Sequence, residues 1–168
     1  ASDVYKRQPV SINIDNGIAA LALAQLNGAT DDELRAGMAS YRGVERRFDF
    51  QIRTPERAFL TDYAHHPAEL RQSALSLKEL YRDKKITALF QPHLYTRTRD
   101  LYREFAEALS HADDVVLLPI YPAREEPIEG VTSEIIAQGV TVPCRIVERA
   151  ALADTVAAMD TDVVVSFG

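Results

Sequence analysis

Two of the four histidines in this sequence lie in one short segment, Thr61–Pro67, with the sequence Thr-Asp-Tyr-Ala-His-His-Pro. The segment follows the apolar run Ala58–Leu60 and ends at a proline, which is common at the first position of a helix. In an open parallel sheet, ligands bind outside the carboxyl ends of the strands. A carboxylate, a phenol and two imidazoles after a buried strand therefore indicate a ligand site. The alternative is a polar turn with a structurally hydrogen-bonded histidine.

Two later predicted strands, residues 86–90 and 115–118, are also followed by polar side chains. Arginines beside tyrosine and threonine suit a carboxylate or phosphate, because the guanidinium fork matches those groups geometrically. For the arginines, the alternative is a solvated loop without a specific partner. The residues in these two clusters are Gln91, His93, Tyr95, Thr96, Arg97, Arg99, Tyr121, Arg124, Glu125 and Glu126.

A metal site is an alternative, since His65, His66 and His93 could together hold zinc in a metal-dependent hydrolase. Adjacent histidines usually point in different directions, and the sequence has no helical His-x-x-x-His pair and only one cysteine. We therefore predict no metal site. The sequence also lacks Gly-x-x-x-x-Gly-Lys-Ser/Thr and Gly-x-Gly-x-x-Gly, so these residues alone are not expected to cradle a triphosphate.

The periodicity of apolar residues predicts an α/β fold with a Rossmann-like, mostly parallel sheet flanked by helices. The first helix is so rich in alanine and leucine that we expect it to pack closely, and a capping box of Thr30 and Glu33 opens the second. Helices are predicted at residues 16–27, 30–40, 68–82, 100–110, 132–138 and 150–159, and strands at 48–52, 58–63, 86–90, 115–118, 144–147 and 163–166. Of Arg46 and Arg47, which precede Phe48, one must point to the opposite face of the strand from the other, so at most one can belong to a common site.

Composition narrows the class of protein. The chain has 168 residues, of which 46% are hydrophobic and 26% charged, and its formal net charge is -6. Such a charge disfavours nucleic acid and anionic membranes as partners. A single cysteine excludes an internal disulfide and fits the cytoplasm. No apolar run approaches the roughly 20 residues of a membrane span, and residues 1–8, expected to be unstructured or non-native, lack a signal-peptide core.

Three segments resemble the bacterial Mur ligases in order and spacing: Gly43–Asp49 (Gly-Val-Glu-Arg-Arg-Phe-Asp), Thr61–Pro67, and Phe90–Thr98 (Phe-Gln-Pro-His-Leu-Tyr-Thr-Arg-Thr). Within that family, the last two resemble the branch that joins L-alanine to UDP-N-acetylmuramate in peptidoglycan biosynthesis. The resemblance implies that ATP and Mg²⁺ phosphorylate a carboxylate and that an amine attacks the acyl phosphate. Alternatives are the family's murein-peptide recycling ligase and a stand-alone Rossmann-like module that binds a nucleotide or amino acid.

The resemblance also implies a domain organisation. Residues 1–42 are expected to be the C-terminal helices of a central ATP-binding domain. Residues 43–168 are expected to be the C-terminal Rossmann-like domain, truncated at its end. The UDP-sugar domain, the phosphate-binding loop and the Mg²⁺ ligands are expected in the rest of the ligase chain. The fragment is therefore predicted to be inactive alone.

By position, the resemblance implies roles for seven residues but no certain catalytic residue. ATP-binding residues are expected to be Asn13, Asn16, Arg47 and Asp62. Residues that handle alanine and the acyl group are expected to be Tyr63, His65 and Arg97.

Three positions depart from the family pattern. Ile12 replaces a histidine that is usual before the first asparagine, and Arg124 stands where a glycine is common. Leu94 replaces an arginine that is usual between histidine and tyrosine. This last change leaves Arg97 a larger share in binding the carboxylate of the amino acid.

Overall fold

In a computed structural model, which describes residues 11–41 and 43–168, six strands form one sheet in the order β1-β2-β6-β3-β4-β5. The strand β1 is antiparallel to β2, and the other pairings are parallel, which confirms the predicted fold class. The strands are β1 Asp49–Arg53, β2 Ala58–Asp62, β3 Ile86–Phe90, β4 Asp114–Leu117, β5 Cys144–Ile146 and β6 Val163–Phe167. The helices are α1 Ser11–Leu26, α2 Asp31–Ser40, α3 Pro67–Leu80, α4 Tyr95–Leu109, α5 Glu134–Ala137 and α6 Leu152–Ala157, the last preceded by a 3₁₀ turn at Arg149–Ala151.

The core lies around the central strands. Every residue of β3 and β4 is buried, as continuous apolar runs covered on both faces predict. The helix α4 contributes Phe105, which is 1% exposed and whose ring centroid lies 5.1 Å from that of Phe90, the last residue of β3. This aromatic contact fixes the helix to the end of the strand. It therefore helps to define where the loop between β3 and α4 lies.

The antiparallel edge is less regular than its sequence pattern predicts. The register of β1 against β2 shifts between Phe50 and Ile52, so the alternation of buried and exposed residues is interrupted. As a result, Ile52 is 52% exposed, whereas Phe48, just before the strand, is 1% exposed.

The helix α4 begins at Tyr95 rather than at Asp100, so the prediction of a long loop after β3 was wrong. Thr96 and Arg97 lie in the first turn of this helix. The backbone N–H and the hydroxyl of Thr96 both donate to the carboxylate of Glu125, which follows β4. A cap supplied from 29 residues away leaves no local signal in the sequence.

The first two helices follow the sequence prediction only in part. The capping box of Thr30 and Glu33 is present at the start of α2. By contrast, α1 does not pack closely within the described residues, because Ile18, Leu23 and Leu26 are 60%, 62% and 83% exposed. A helix that is apolar on all sides is typical of the interior of a larger protein. Among residues 11–41 and 43–168, no helix has the length and apolar character needed to cross a membrane.

The replacement Phe105→Ala should destabilise this chain by about 3 to 5 kcal/mol, because it removes a buried aromatic ring and leaves a cavity beside Phe90. Ile52→Ala, at a half-exposed edge position, should change the free energy of unfolding by less than about 1 kcal/mol. Denaturant unfolding of both variants measures the difference. Equal losses would contradict the assignment of Phe105 to the core.

Candidate functional site

Two clefts open at the carboxyl ends of the strands. The first, called here the helix cleft, has a volume of about 1010 Å³ and lies between α1, α2 and α3. The second, called here the strand cleft, has a volume of about 480 Å³ and lies beyond the ends of β2, β3 and β6. The polar residues that line the helix cleft include Asn16, Arg47, Asp62, Glu69 and Ser73. Those that line the strand cleft include Arg46, Tyr63, His65, His93, Arg97 and Tyr121.

A partly buried carboxylate, that of Asp62, lies in the helix cleft at the end of β2. Burial raises its pKa above the ordinary value for aspartate, although a hydrogen bond from Ser73 and the charge of Arg47 act in the opposite direction. The hydroxyl of Ser73 donates to Oδ2 of Asp62 over 2.7 Å. The protein thus holds an ionisable group where ionisation is less favourable than in water.

Three of the residues predicted to bind ATP line this cleft: Asn16, Arg47 and Asp62. The side chain of Asn13, the fourth, lies outside the described part of the structure, as does that of Ile12. The helix α1 therefore brings at least one asparagine to the same cleft as the end of β2.

Arg46 and Arg47 lie in a turn and not in a strand, because β1 begins only at Asp49. Arg46 has a φ of 59°, in the left-handed region, so the strict alternation of a strand does not apply. Both guanidinium groups pack against the ring of Tyr63, with Cζ at 4.8 Å from its centroid for Arg46 and 5.4 Å for Arg47. Since Arg46 lines the strand cleft and Arg47 the helix cleft, Tyr63 is in contact with a cation from each.

Glu69 organises the two histidines, and the sequence analysis missed it. Its Oε2 accepts hydrogen bonds from the backbone N–H groups of His65 and His66, at 3.0 and 3.3 Å. Burial alone would raise the pKa of Glu69, but these hydrogen bonds and the charges of His65 and Arg47 outweigh it and lower the pKa. The signal was a capping box in which histidine takes the usual place of serine or threonine.

The ring of His65 is held by a contact to the backbone. Its Nδ1 lies 2.9 Å from the backbone oxygen of Tyr63, which can only accept a hydrogen bond, so Nδ1 carries the proton. The ring also packs edge-on against that of Tyr63, with centroids 5.1 Å apart. When the ring is neutral, Nε2 is therefore the nitrogen that can accept a hydrogen bond.

Arg97 differs clearly from the nearby Arg99. Arg97 lines the strand cleft and is partly buried, and its guanidinium makes no hydrogen bond or ion pair with residues 11–41 or 43–168. Arg99 instead pairs with Asp100, Nε to Oδ1, over 2.7 Å. The cleft thus contains a guanidinium whose five donors are available to an anion.

The other side of the strand cleft is aromatic. The ring of His93 stacks on that of Tyr121, with centroids 5.4 Å apart and planes at 20°, and a β-bridge joins the two residues. His66 caps α3 with its ring. In the part of the chain that the structure describes, no three His, Cys, Asp or Glu side chains are grouped so that they could hold a metal ion.

A family model described as "Mur ligase, glutamate ligase domain" matches residues 46–168. The chain belongs to the Mur ligase family. It is 66% identical over 128 residues to the UDP-N-acetylmuramate–L-alanine ligase of Phocaeicola vulgatus, covering 76% of this chain and 28% of that relative. It is 53% identical over 167 residues to the enzyme of the same name from Parabacteroides distasonis, covering 99% of this chain and 36% of that relative. The chain thus spans about a third of the length of these relatives.

Two solved structures are similar in fold to this Mur ligase chain. The UDP-N-acetylmuramate–alanine ligase of Thermotoga maritima is similar, with a TM-score of 0.75 at 27% identity, over 95% of this chain and 34% of that one. The murein peptide ligase of Psychrobacter arcticus shares the fold, with a TM-score of 0.63 at 17% identity, over 93% of this chain and 33% of that one.

The raised pKa of Asp62 predicts a pH effect on stability. Between the unfolded pKa, about 4, and the raised folded pKa, the folded Mur ligase chain binds more protons than the unfolded chain. The free energy of unfolding of the wild type, relative to Asp62→Asn, should therefore fall as the pH rises through this window. Denaturant unfolding of both proteins at several pH values measures it, with Asp154→Asn at an exposed site as the control. A difference that grows with pH would show that the folded protein favours the carboxylate.

Proposed function

We propose that this chain is the C-terminal part of an ATP-dependent ligase that joins L-alanine to UDP-N-acetylmuramate through an acyl phosphate. The observation that carries the proposal is the strand cleft, which lies beside a second cleft that contains Asp62. In the strand cleft, Arg97, which is unpaired among the described residues, lies with Tyr63 and His65. The printed names of the relatives from Phocaeicola vulgatus and Parabacteroides distasonis support this choice of substrates.

The helix cleft suits the nucleotide. Carboxylate and amide oxygens, here those of Asp62 and Asn16, can accept hydrogen bonds from the hydroxyl and amino groups of a nucleoside. Arg47 offers a cation for a phosphate. The described residues offer no grouping for a metal, and the sequence has no glycine-rich phosphate-binding motif. We therefore place the Mg²⁺ ligands and the cradle for the triphosphate in the rest of the ligase chain and expect residues 1–168 to be inactive alone. When bound, ATP supplies the phosphoryl group that activates the muramate carboxylate.

The strand cleft suits the amino acid. Arg97 would bind the carboxylate of L-alanine or the oxygens of the acyl phosphate through paired hydrogen bonds. In the ligation, a C–N bond forms between the alanine amine and the acyl carbon, and the bond from that carbon to the phosphate oxygen breaks. The amine must lose a proton in this step. In its neutral form, His65 offers Nε2 as an acceptor in the same cleft.

The domain organisation follows the same proposal. We assign residues 1–42 to the end of a central ATP-binding domain and residues 43–168 to the C-terminal Rossmann-like domain. The UDP-sugar and phosphate-binding domains are then the partners of this chain, and the reaction takes place in the cytoplasm, which suits a chain with one cysteine. The helix cleft, lined by α1, α2 and α3, lies where the two assigned parts meet.

In the complete ligase, Arg97→Ala should raise the alanine concentration needed for half-maximal rate, or lower turnover, by tenfold to over a hundredfold. This range corresponds to a charge-assisted contact of about 1.5 to 3 kcal/mol. Arg97→Lys should recover only part of the loss, since lysine supplies a point charge without the fork. The measurement is alanine dependence at saturating ATP and UDP-N-acetylmuramate.

The matched control is Arg99→Ala, in the same helical turn but paired with Asp100. It should leave the alanine kinetics unchanged. Unaltered alanine kinetics in Arg97→Ala would contradict the role of Arg97. A wild-type complete ligase that does not ligate alanine would contradict the proposed function itself.

A further inference from the structure

We propose that Glu125 is a positioning residue, which holds the first turn of α4 so that Arg97 lies in the strand cleft. The inference rests on the proposed function, because it concerns the binding of the same amino acid. Glu125 belongs to the loop after β4 and is one of the polar residues that follow that strand.

The contact between the loop and the helix uses both oxygens of one carboxylate. Oε2 of Glu125 accepts from the backbone N–H of Thr96 over 3.0 Å, and Oε1 accepts from the hydroxyl of the same threonine. These hydrogen bonds, together with the charge of Arg99, lower the pKa of Glu125. The carboxylate is therefore ionised at neutral pH, which also suits the positive end of the helix dipole.

The start of α4 needs such a contact from outside. The residue before the helix, Leu94, makes no side-chain cap and has a φ of 73°. A leucine in this region of the backbone is strained and persists only where surrounding contacts hold it. The backbone N–H of Leu94 donates to the backbone oxygen of Tyr121. The loop that carries Glu125 therefore contacts the chain at the strained residue and again two residues later, at Thr96.

The position of Arg97 depends on this turn. Arg97 follows Thr96 directly, and its guanidinium is tied to no other residue of the described chain. Thr98, next to it, is 0% exposed, and its hydroxyl donates to the backbone oxygen of Leu94 over 2.8 Å. The backbone from Leu94 to Thr98 is thus the main constraint on where the guanidinium can reach, and Glu125 binds the middle of that segment.

The test uses the complete ligase with three variants: Glu125→Ala, Glu125→Gln and the control Glu126→Ala, which changes the exposed neighbouring acid. Glu125→Ala should raise the Michaelis constant for alanine about tenfold or more, since a displacement near 1 Å can cost up to a hundredfold. Glu125→Gln keeps one of the two acceptor oxygens and should show a smaller rise. The constants for ATP and UDP-N-acetylmuramate should stay within about twofold, and Glu126→Ala should match the wild type.

Thr96→Val gives a second route to the same contact, by removing the hydroxyl donor. It should raise the alanine constant as well, and the double variant Thr96→Val with Glu125→Ala should be no worse than Glu125→Ala alone. If Glu125→Ala fails to fold, Glu125→Gln and Thr96→Val carry the test.

The inference is overturned if folded Glu125 variants retain wild-type alanine kinetics while Arg97→Ala does not. It is also overturned if all three substrate constants rise together with a fall in Tm, since that pattern indicates a general structural role. In both cases the proposed function stands, because the Arg97 result and the wild-type reaction test it separately.

Discussion

The arrangement of both clefts depends on the register of three parallel strands. β6 lies between β2 and β3, and Phe167 is the partner of Asp62 on one side and of Phe90 on the other. Segments that are distant in the chain therefore end at the same level of the sheet. The backbone N–H of Gly168 donates to the backbone carbonyl oxygen of Asp62 over 3.0 Å, which continues this alignment past the last strand pair. Any slip by one residue would move the polar groups after β2 and β3 apart and turn their side chains to the opposite faces.

The two clefts at the carboxyl ends of the strands differ in the charged groups that line them. The helix cleft holds a carboxylate, Asp62, whose ionisation burial opposes, with Arg47 beside it. The strand cleft holds Arg97, which no residue of the described chain neutralises. Tyr63 contacts a cation from each cleft through Arg46 and Arg47. Under the proposed function, the helix cleft takes the nucleotide and the strand cleft takes the amino acid.

The sequence was sufficient for the fold class and for the strands, since continuous apolar runs and helical periodicity depend on local spacing. It also predicted that polar clusters after different strands would meet, and Tyr63, His65 and Arg97 do line one cleft. The early start of α4 was missed because its cap comes from Glu125, and the turn at Arg46 because a positive φ at a non-glycine residue has no sequence signal. The exposure of α1 was not predicted. The sequence shows that this helix is apolar, but it does not show which residues pack against it.

The most direct test of the two-cleft account is a crystal structure of the complete ligase with a non-hydrolysable ATP analogue, UDP-N-acetylmuramate and L-alanine. The account predicts that the Arg97 guanidinium lies within hydrogen-bond distance of the alanine carboxylate or the acyl acceptor oxygens, and that the nucleotide contacts Asp62 or Arg47 in the helix cleft. Alanine bound away from the strand cleft, with Arg97 in solvent, would contradict it. So would a nucleotide that reaches neither Asp62 nor Arg47.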